Sequence, residues 1–244
     1  MTFSDIHAHI LHASDDGPKT REDMFKMLDA AYADGTRLLF ATPHFHPGFF
    51  DDNREQIRYS FDVLKEYCES KYKDMRLFLG NELFYTHDSV SWMKNGLCLP
   101  MGDTRYVLVE FDITATEDNI AEAMDRLLNI GYVPILAHVE RYGKLGFGRI
   151  TALRENGVLL QMNAEALKPH LFGFKLAKRV KALLSDGLVD FISTDMHDMV
   201  KRPPIMSNAY NYVSEKYGHT LAEQLCRTNA ERLLCGERTA EVNV

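Results

Sequence analysis

The sequence predicts a single-domain α/β fold whose parallel strands form a seven-stranded β/α barrel. Seven short apolar runs alternate with longer amphipathic stretches, which is the pattern of repeated βα units. No linker, low-complexity run or charge block divides the 244 residues, a length that suits one large domain. An open doubly wound sheet shares this alternation. The barrel is favoured because polar side chains follow all seven apolar runs. In an open sheet, the polar residues of a site lie mainly at one crevice.

Each predicted strand is a short apolar run bounded by polar or turn residues. The predicted strands are Thr2–Ile6, Leu38–Ala41, Leu77–Leu79, Tyr106–Val109, Val133–Ala137, Val158–Gln161 and Phe191–Ser193. In a barrel of this kind the carboxyl ends of the strands meet at one face, where the active site is built.

Helical periodicity fills the segments between the strands. The first helix has Thr20 as its N-cap and Asp23 three residues on, and Gly35 ends it. The predicted helices are Thr20–Asp34, Asn53–Ser70, Asp88–Leu97, Thr116–Ile130, Arg149–Asn156, Gly173–Ser185, Ile205–Tyr217 and Thr220–Leu234. One domain is expected to span residues 1–244, with a frayed tail over 236–244.

Composition and charge exclude several classes of protein. Apolar residues make up 45% and charged residues 26%, which excludes disordered and collagen-like chains. The net charge of −7 argues against a nucleic-acid partner, which needs clustered lysine and arginine. With no run of about 18 apolar residues and no secretory signal, we expect a cytoplasmic protein without direct membrane insertion. The cysteines form no CxxC pair and are interpreted as thiols of a reducing compartment: Cys68, Cys98, Cys226 and Cys235.

Potential metal ligands follow most of the predicted strands. They are His7 and His9, His44, Glu82, Glu110, His138, and Asp195 with His197. Side chains two apart on a strand point to the same side, so His7 and His9 are able to bind one ion together. Imidazole and carboxylate without thiolate favours manganese, iron or zinc over a cysteine-rich structural zinc site.

Other residues near the strand ends are weaker candidates for a role in the site. Three histidines in predicted loops are interpreted as non-ligands: His12, His46 and His87. Three more residues are interpreted either as partners that orient ligands or as plain rim residues: Asp112, Glu140 and Asn163. Phe49 and Phe50 are interpreted either as a stacking surface for an aromatic substrate or as loop anchors.

These motifs, in this order, resemble the polymerase and histidinol phosphatase (PHP) superfamily. The matching segments are His7-Ala8-His9, Thr42-Pro43-His44, Gly80-Asn81-Glu82, Val109-Glu110-Phe111 and Ser193-Thr194-Asp195-Met196-His197. Three further features resemble the CpsB-type tyrosine phosphatases of bacterial capsular and exopolysaccharide synthesis: Asp15-Asp16-Gly17-Pro18, His138-Val139-Glu140-Arg141-Tyr142, and Asp195-Met196-His197 followed by Arg202-Pro203-Pro204. The resemblance covers about residues 4–236.

The resemblance implies a distorted seven-stranded, TIM-like barrel with three divalent ions, commonly manganese, with iron or zinc as alternatives. The first ion is expected on His7, His9, Glu82 and Asp195. The second is expected on Glu82, Glu110 and His138, with Glu82 bridging. The third is expected on Asp16, His44 and His197. Arg141 and Arg202 match the arginines that contact phosphate in this family.

The implied activity is hydrolysis of phosphotyrosine on the tail of a membrane-associated bacterial tyrosine kinase. A cysteine nucleophile is not expected, because the one Cys-x5-Arg spacing, Cys226 to Arg232, lies within the predicted helix Thr220–Leu234 and not in a loop. Water activated by metal is therefore the expected nucleophile. The main alternative is a small-molecule phosphomonoesterase such as a histidinol-phosphate phosphatase. A nuclease or diesterase, a metal-dependent amidohydrolase and an inactive kinase-binding regulator are weaker alternatives, and the sequence leaves the oligomeric state open.

Overall fold

The computed structural model describes residues 1–50, 53–168 and 173–236. The predicted tail therefore lies almost wholly outside the described residues. The strands that the described residues form are β1 (Phe3–Asp5), β2 (Thr36–Ala41), β3 (His44–Phe45), β4 (Arg76–Leu79), β5 (Glu82–Phe84), β6 (Tyr106–Glu110), β7 (Val133–Leu136), β8 (Leu159–Asn163) and β9 (Phe191–Ser193). All of their pairings are parallel, which confirms the α/β class.

These strands are divided between two sheets instead of joining in one seven-stranded ladder. One sheet has the order β1-β2-β4, and the other has the order β3-β5-β6-β7-β8-β9. The second and third predicted strands each continue, after an interruption, as a further short strand. Pro43 lies in the first interruption and has no N–H to donate to a ladder. The Asn81 side chain spans the second, donating to Pro43 O at 3.1 Å and accepting from Leu99 N at 2.8 Å.

Backbone hydrogen bonds connect the two sheets beyond the ends of β1 and β9. Asp195 N donates to His7 O, and His9 N donates to Met196 O, both at 2.9 Å. On the other side of the same segment, Thr42 N donates to Ala8 O at 2.9 Å. The segment after β1 therefore lies between the strands of both sheets.

A shared apolar core lies between the two sheets. Its side chains come from or next to strands of both, and include Ile6, Leu38, Phe40, Leu108, Ile135 and Phe191. Leu233, near the carboxyl end of the chain, packs into the same cluster and is fully buried. Burial of each large side chain of this kind contributes about 1.5–3 kcal/mol, so this core fixes the strands whose ends carry the polar residues.

The helices pack around the sheets, close to their predicted positions. They are α1 (Arg21–Asp34), α2 (Arg54–Lys71), α3 (Ser89–Lys94), α4 (Glu117–Asn129), α5 (Phe147–Glu155), α6 (Phe174–Ser185), α7 (Ser207–Tyr217), α8 (His219–Glu223) and α9 (Asn229–Leu234). The Thr20 hydroxyl accepts from Asp23 N at 3.1 Å, and Gly35 ends α1 with φ 116°, as predicted. In the described residues no helix has the length and apolar character needed to cross a membrane.

Two of the differences from the predicted helices have local reasons. Helix α7 begins two residues late because the Asp34 carboxylate accepts from Met206 N at 2.6 Å and Ser207 N at 2.8 Å, which caps the helix there. The predicted helix Thr220–Leu234 is interrupted by a π-helical turn, Gln224–Thr228, between α8 and α9. Among the cysteines, Cys68, Cys98 and Cys226 are buried and Cys235 is exposed, and all are free thiols.

Candidate metal centre

The predicted ligand residues meet at the carboxyl ends of the strands. Six of them follow or end strands of the two sheets. His44 and Glu82 begin β3 and β5, shortly after the ends of β2 and β4, and the ninth residue, Asp16, comes from the loop before α1. The full set is His7, His9, Asp16, His44, Glu82, Glu110, His138, Asp195 and His197. Two of these residues have positive φ, 36° at His138 and 52° at Asp195, a backbone strain of the kind that accumulates at functional sites.

The first group of donors surrounds the facing rings of His7 and His9. Their Nε2 atoms lie 3.1 Å apart. Glu82 Oε2 lies 3.2 Å from His7 Nε2 and 3.1 Å from His9 Nε2. Asp195 Oδ1 lies 3.4 Å and 3.5 Å from the same two nitrogens. Two imidazoles and two carboxylates thus converge on one buried point.

The second group shares Glu82 with the first. His138 Nε2 lies 3.1 Å from Glu82 Oε1 and 3.4 Å from Glu110 Oε2. His44 also reaches this group, because its Nδ1 lies 3.2 Å from Glu82 Oε2 and 3.1 Å from Glu110 Oε1. Glu82 therefore lies beside donors of both groups.

The third group is at the more exposed edge of the centre. Asp16 Oδ1 lies 3.1 Å from His197 Nε2 and 3.6 Å from His44 Nε2. The His9 ring stacks on the His197 ring at 3.9 Å, so its donor atom lies near this group as well. His9, Asp16, His44 and His197 each offer a ligand atom within 4.8 Å of the others.

The chemistry of these donors fits bound divalent cations. His44 Nδ1 and His197 Nε2 are buried and make no hydrogen bond to any residue in the described part of the chain, although carboxylate oxygens lie beside them. Glu82 and Asp195 place negative charge in a buried space, which is costly without a compensating cation. Imidazole and carboxylate donors of this kind suit manganese, iron or zinc.

The electrostatics of the donor groups favour positive charge at this site. Burial alone would raise the pKa of the Asp195 carboxyl, but the neighbouring His7 and His9 outweigh it and hold the pKa below its usual value. The pKa of Glu82 is likewise held low against burial, by His7, His44 and His138. Burial alone would lower the pKa of His138, but hydrogen bonds to Glu110 and Glu82 raise it to about 9. Both carboxylates are therefore ionised at neutral pH.

Two arginines face the centre from its accessible side. Arg141 Nη2 donates to Asp195 Oδ2 at 3.0 Å. Arg202 Nη2 lies 3.3 Å from Asp16 Oδ2, and its Nη1 lies 3.6 Å from Asp195 Oδ2. Both side chains are partly exposed, so each has donors left for an incoming anion. Planar guanidinium groups match the oxygens of a phosphoryl group in a bidentate way.

The remaining sequence candidates lie outside the donor groups. His12 Nδ1 pairs with Ser60 Oγ at 2.7 Å, the His46 ring stacks on Phe84, and His87 is 86% exposed. Asp112 is an exposed rim residue that accepts from Thr114 N. The Phe50 ring packs on the His44 ring at 5.5 Å, whereas Phe49 is 73% exposed.

Comparison with known proteins places this site in a family. Residues 3–235 match the family model described as capsular polysaccharide synthesis, CpsB/CapC. The chain belongs to the CpsB/CapC family. The resemblance to CpsB-type proteins is therefore confirmed.

Curated relatives of this CpsB/CapC chain carry phosphatase names. It is 32% identical over 236 residues to the tyrosine-protein phosphatase CpsB of Streptococcus agalactiae, covering 94% of this chain and 97% of the relative. It is 28% identical over 232 residues to the tyrosine-protein phosphatase YwqE of Bacillus subtilis, covering 94% and 91% respectively.

Solved structures agree with this similarity. The crystal structures of YwqE from Bacillus subtilis and CpsB from Streptococcus pneumoniae are described as unique metal-dependent tyrosine phosphatases. The match has a TM-score of 0.87 at 27% identity, and it covers 97% of this chain and 96% of the other. A phosphotriesterase homology protein from Escherichia coli matches with a TM-score of 0.63 at 10% identity, covering 95% and 98%, which shows likeness of fold alone.

Sequence reasoning missed two residues that orient donors in this CpsB/CapC chain. Asp15 Oδ2 lies 2.7 Å from His9 Nδ1 and also accepts from His44 N at 3.0 Å. Gln161 Oε1 lies 3.2 Å from His7 Nδ1 and accepts from His138 N at 2.8 Å. A partner on Nδ1 fixes the tautomer that leaves Nε2 free to bind metal. The two consecutive acidic residues were the available signal. Asp15 contacts His9 from behind, and Asp16 faces the donor groups directly.

Of the residues left with two interpretations, Asn163 takes the orienting role. Its Nδ2 donates to Asp195 Oδ2 at 2.8 Å, so it holds the carboxylate that lies between the histidines and the arginines. Glu140 is buried, and its oxygens lie 3.4 Å from Asn163 N. It therefore belongs to the layer behind the donor groups.

Proposed function

We propose that this chain is a metal-dependent protein-tyrosine phosphatase that hydrolyses phosphotyrosine monoesters. The observation that carries the proposal is the convergence of three overlapping imidazole–carboxylate groups with two arginines at one face. The phosphatase names of the CpsB and YwqE relatives support it, as does the metal dependence stated for the YwqE and CpsB structures.

The nine donor residues are proposed to hold three divalent ions, with Mn²⁺ as the first choice and iron or zinc as alternatives. His7, His9, Glu82 and Asp195 would hold the first ion. Glu82, Glu110 and His138 would hold the second. Asp16, His44 and His197 would hold the third. When bound, the ions supply Lewis-acid charge at the phosphoryl oxygens and lower the pKa of water so that it is nucleophilic at neutral pH.

The chain's own contribution is to position the phosphoryl group and to balance its charge. Three divalent ions would bring six positive charges against four ligand carboxylates, which leaves about two positive charges to attract a phosphate dianion. Arg141 and Arg202 would donate to the oxygens that carry charge in the transition state. Both already approach Asp195 Oδ2, so each guanidinium is held beside the donor groups before substrate arrives.

The architecture around this site is proposed to be one distorted seven-stranded barrel in a single domain over residues 1–244. Counting β2 with β3 and β4 with β5 reduces the strands to seven. The hydrogen bonds between the segments after β1 and β9, together with the core shared by both sheets, support closure.

The phosphotyrosine is proposed to lie on the tail of a membrane-associated bacterial tyrosine kinase. The support is the family description, which names capsular polysaccharide synthesis. Regulation of capsular or exopolysaccharide synthesis follows from the same proposal, and the cytoplasmic location stays a prediction.

The test is phosphate release from a phosphotyrosine peptide, with Mn²⁺ and then with a chelator. A phosphoserine peptide, histidinol phosphate and an aryl phosphodiester are assayed in parallel. We expect chelator-sensitive release from phosphotyrosine, abolished in His9→Ala and retained in His87→Ala, which changes an exposed histidine outside the donor groups. Release from histidinol phosphate with the peptide inert would overturn the proposal and favour a metabolic phosphatase.

A further inference from the structure

A small apolar pocket lies beside the metal centre and is unused by the proposed chemistry. Its volume is about 260 Å³, and its walls include Phe45, His46, Phe50, Arg54, Trp92 and Leu97. The Phe45 and Trp92 rings meet edge to face at 5.4 Å. Trp92, Leu97 and Phe50 are only half-buried, so an apolar group entering the pocket would remove further apolar surface from water.

The pocket and the metal centre share a wall. The Phe50 ring packs on the His44 ring at 5.5 Å and also lines the pocket. In β3, His44 points toward the donor groups, and the next residue, Phe45, faces the opposite side, because side chains alternate along a strand. The pocket and the donor groups therefore lie on opposite sides of one strand, and Phe50 borders both.

The size and lining of the pocket indicate what it would hold. Small-molecule sites are usually about 300–1,000 Å³, so a pocket of about 260 Å³ suits one side chain better than a separate ligand. Phe45, Phe50 and Trp92 offer ring faces and edges for aromatic contacts.

We propose that this pocket binds an aromatic side chain of the substrate peptide, within three residues of the phosphotyrosine. An extended chain advances about 3.3–3.6 Å per residue, so three residues span roughly 10 Å. This is about the thickness of one strand with its side chains, and one strand separates the pocket from the donor groups. The pocket thereby makes the enzyme selective for phosphotyrosines that have an aromatic neighbour. This inference rests on the proposed tyrosine phosphatase function and adds a specificity site to it.

Trp92 allows a direct test because it is the only tryptophan in the chain. The ligands are tryptophan-free peptides in which phosphonomethyl-phenylalanine replaces phosphotyrosine and phenylalanine is placed in turn at each position within three residues of it. Alanine fills the other positions. At one position we expect the peptide to change Trp92 fluorescence and to bind roughly tenfold or more tighter than the all-alanine peptide, the effect of burying one phenylalanine. Equal binding and unchanged fluorescence for the whole series would overturn the inference.

Kinetics with the matching phosphotyrosine peptides provide a second readout. The wild type should show the same positional preference in kcat/KM, and Trp92→Ala and Leu97→Asp should lose it. Leu97→Asp serves as the second variant because Trp92 also packs on the core. Hydrolysis of p-nitrophenyl phosphate, which has no neighbouring residue, should be unchanged in both. Phe174→Ala, an exposed aromatic residue outside the pocket, is the matched control and should keep the preference.

The failure of the inference and the failure of the proposed function give different results. If every phosphotyrosine peptide is hydrolysed equally well, the function stands and the pocket has no role in specificity. If all peptides are inert while small phosphomonoesters are hydrolysed, the tyrosine phosphatase function fails, and the specificity site fails with it.

Discussion

Arg141 donates from Nη2 to Oδ2 of Asp195 at 3.0 Å, while the other oxygen of the same carboxylate faces the histidine rings. Oδ1 lies 3.4 Å from His7 Nε2, on the side of the first donor group. Arg202 approaches Oδ2 as well, at 3.6 Å. Asp195 therefore joins the part of the site that would hold metal to the part that would hold phosphate.

Removal of one arginine should separate phosphate binding from metal binding. We expect Arg202→Ala to lower kcat/KM on an aryl phosphate by roughly 10- to 100-fold, the effect of losing one charge-assisted hydrogen bond. Metal content, measured on the purified protein, should stay unchanged because the donor groups are intact. Lys201→Ala, its exposed neighbour, is the control and should keep full activity. A loss of metal in Arg202→Ala would show that its role is structural.

The residue behind His9 should control metal affinity. Asp15 Oδ2 lies 2.7 Å from His9 Nδ1, and partners of this kind typically contribute 10- to 100-fold to metal affinity. We expect Asp15→Asn to weaken Mn²⁺ binding by roughly 10-fold or more, measured by competition with a chelator. Asp62→Asn, an exposed change on α2, serves as the matched control. Unchanged affinity in Asp15→Asn would mean that the His9 tautomer is fixed by other contacts.

The structure brings the donor residues proposed from the sequence close together, and the signals that identified them are local. His7 and His9 lie two residues apart at a strand end, and so do Asp195 and His197, which places each pair on one side. The contacts that orient them are not local. Gln161 is 154 residues from His7 along the chain. Its position on β8, two residues before Asn163, does not indicate which histidine its side chain contacts.

Chelation should destabilise the fold, because an ion that binds the folded chain and not the unfolded one stabilises the folded state. Glu82 is buried, and its oxygens lie within 3.2 Å of nitrogens from four histidines. Saturation at 100 times Kd adds about 2.7 kcal/mol per site, so each ion lost should lower Tm by roughly 5–10 °C. The measurement is thermal unfolding with Mn²⁺ and with EDTA. In Glu82→Gln the difference should shrink, and identical curves for the wild type in both conditions would contradict a resident metal.

The strand breaks show a second limit of the sequence. The apolar runs locate β2 and β4 correctly, but β3 and β5 contain ligand residues, which hide their strand character. Pro43 was a visible signal for an interruption, since it lacks the N–H that a ladder needs. The role of Asn81 could not be predicted, because its partners Pro43 O and Leu99 N come from separate segments.

A buried ion pair beneath the sheet should matter for stability and leave catalysis intact. The Asp190 side chain is fully buried, and its two oxygens accept from Arg154 Nη2 at 2.8 Å and Leu160 N at 2.9 Å. Removal of one partner from such a pair typically costs 3–5 kcal/mol, and Arg154 remains partly hydrated, so we expect Asp190→Ala to cost about 3 kcal/mol. Chemical denaturation gives the free energy of unfolding. Asp118→Ala breaks the exposed pair with Arg149 and should cost about 1 kcal/mol or less. Each variant removes the aspartate of an aspartate–arginine pair. Equal losses in the free energy of unfolding would therefore contradict the importance of burial.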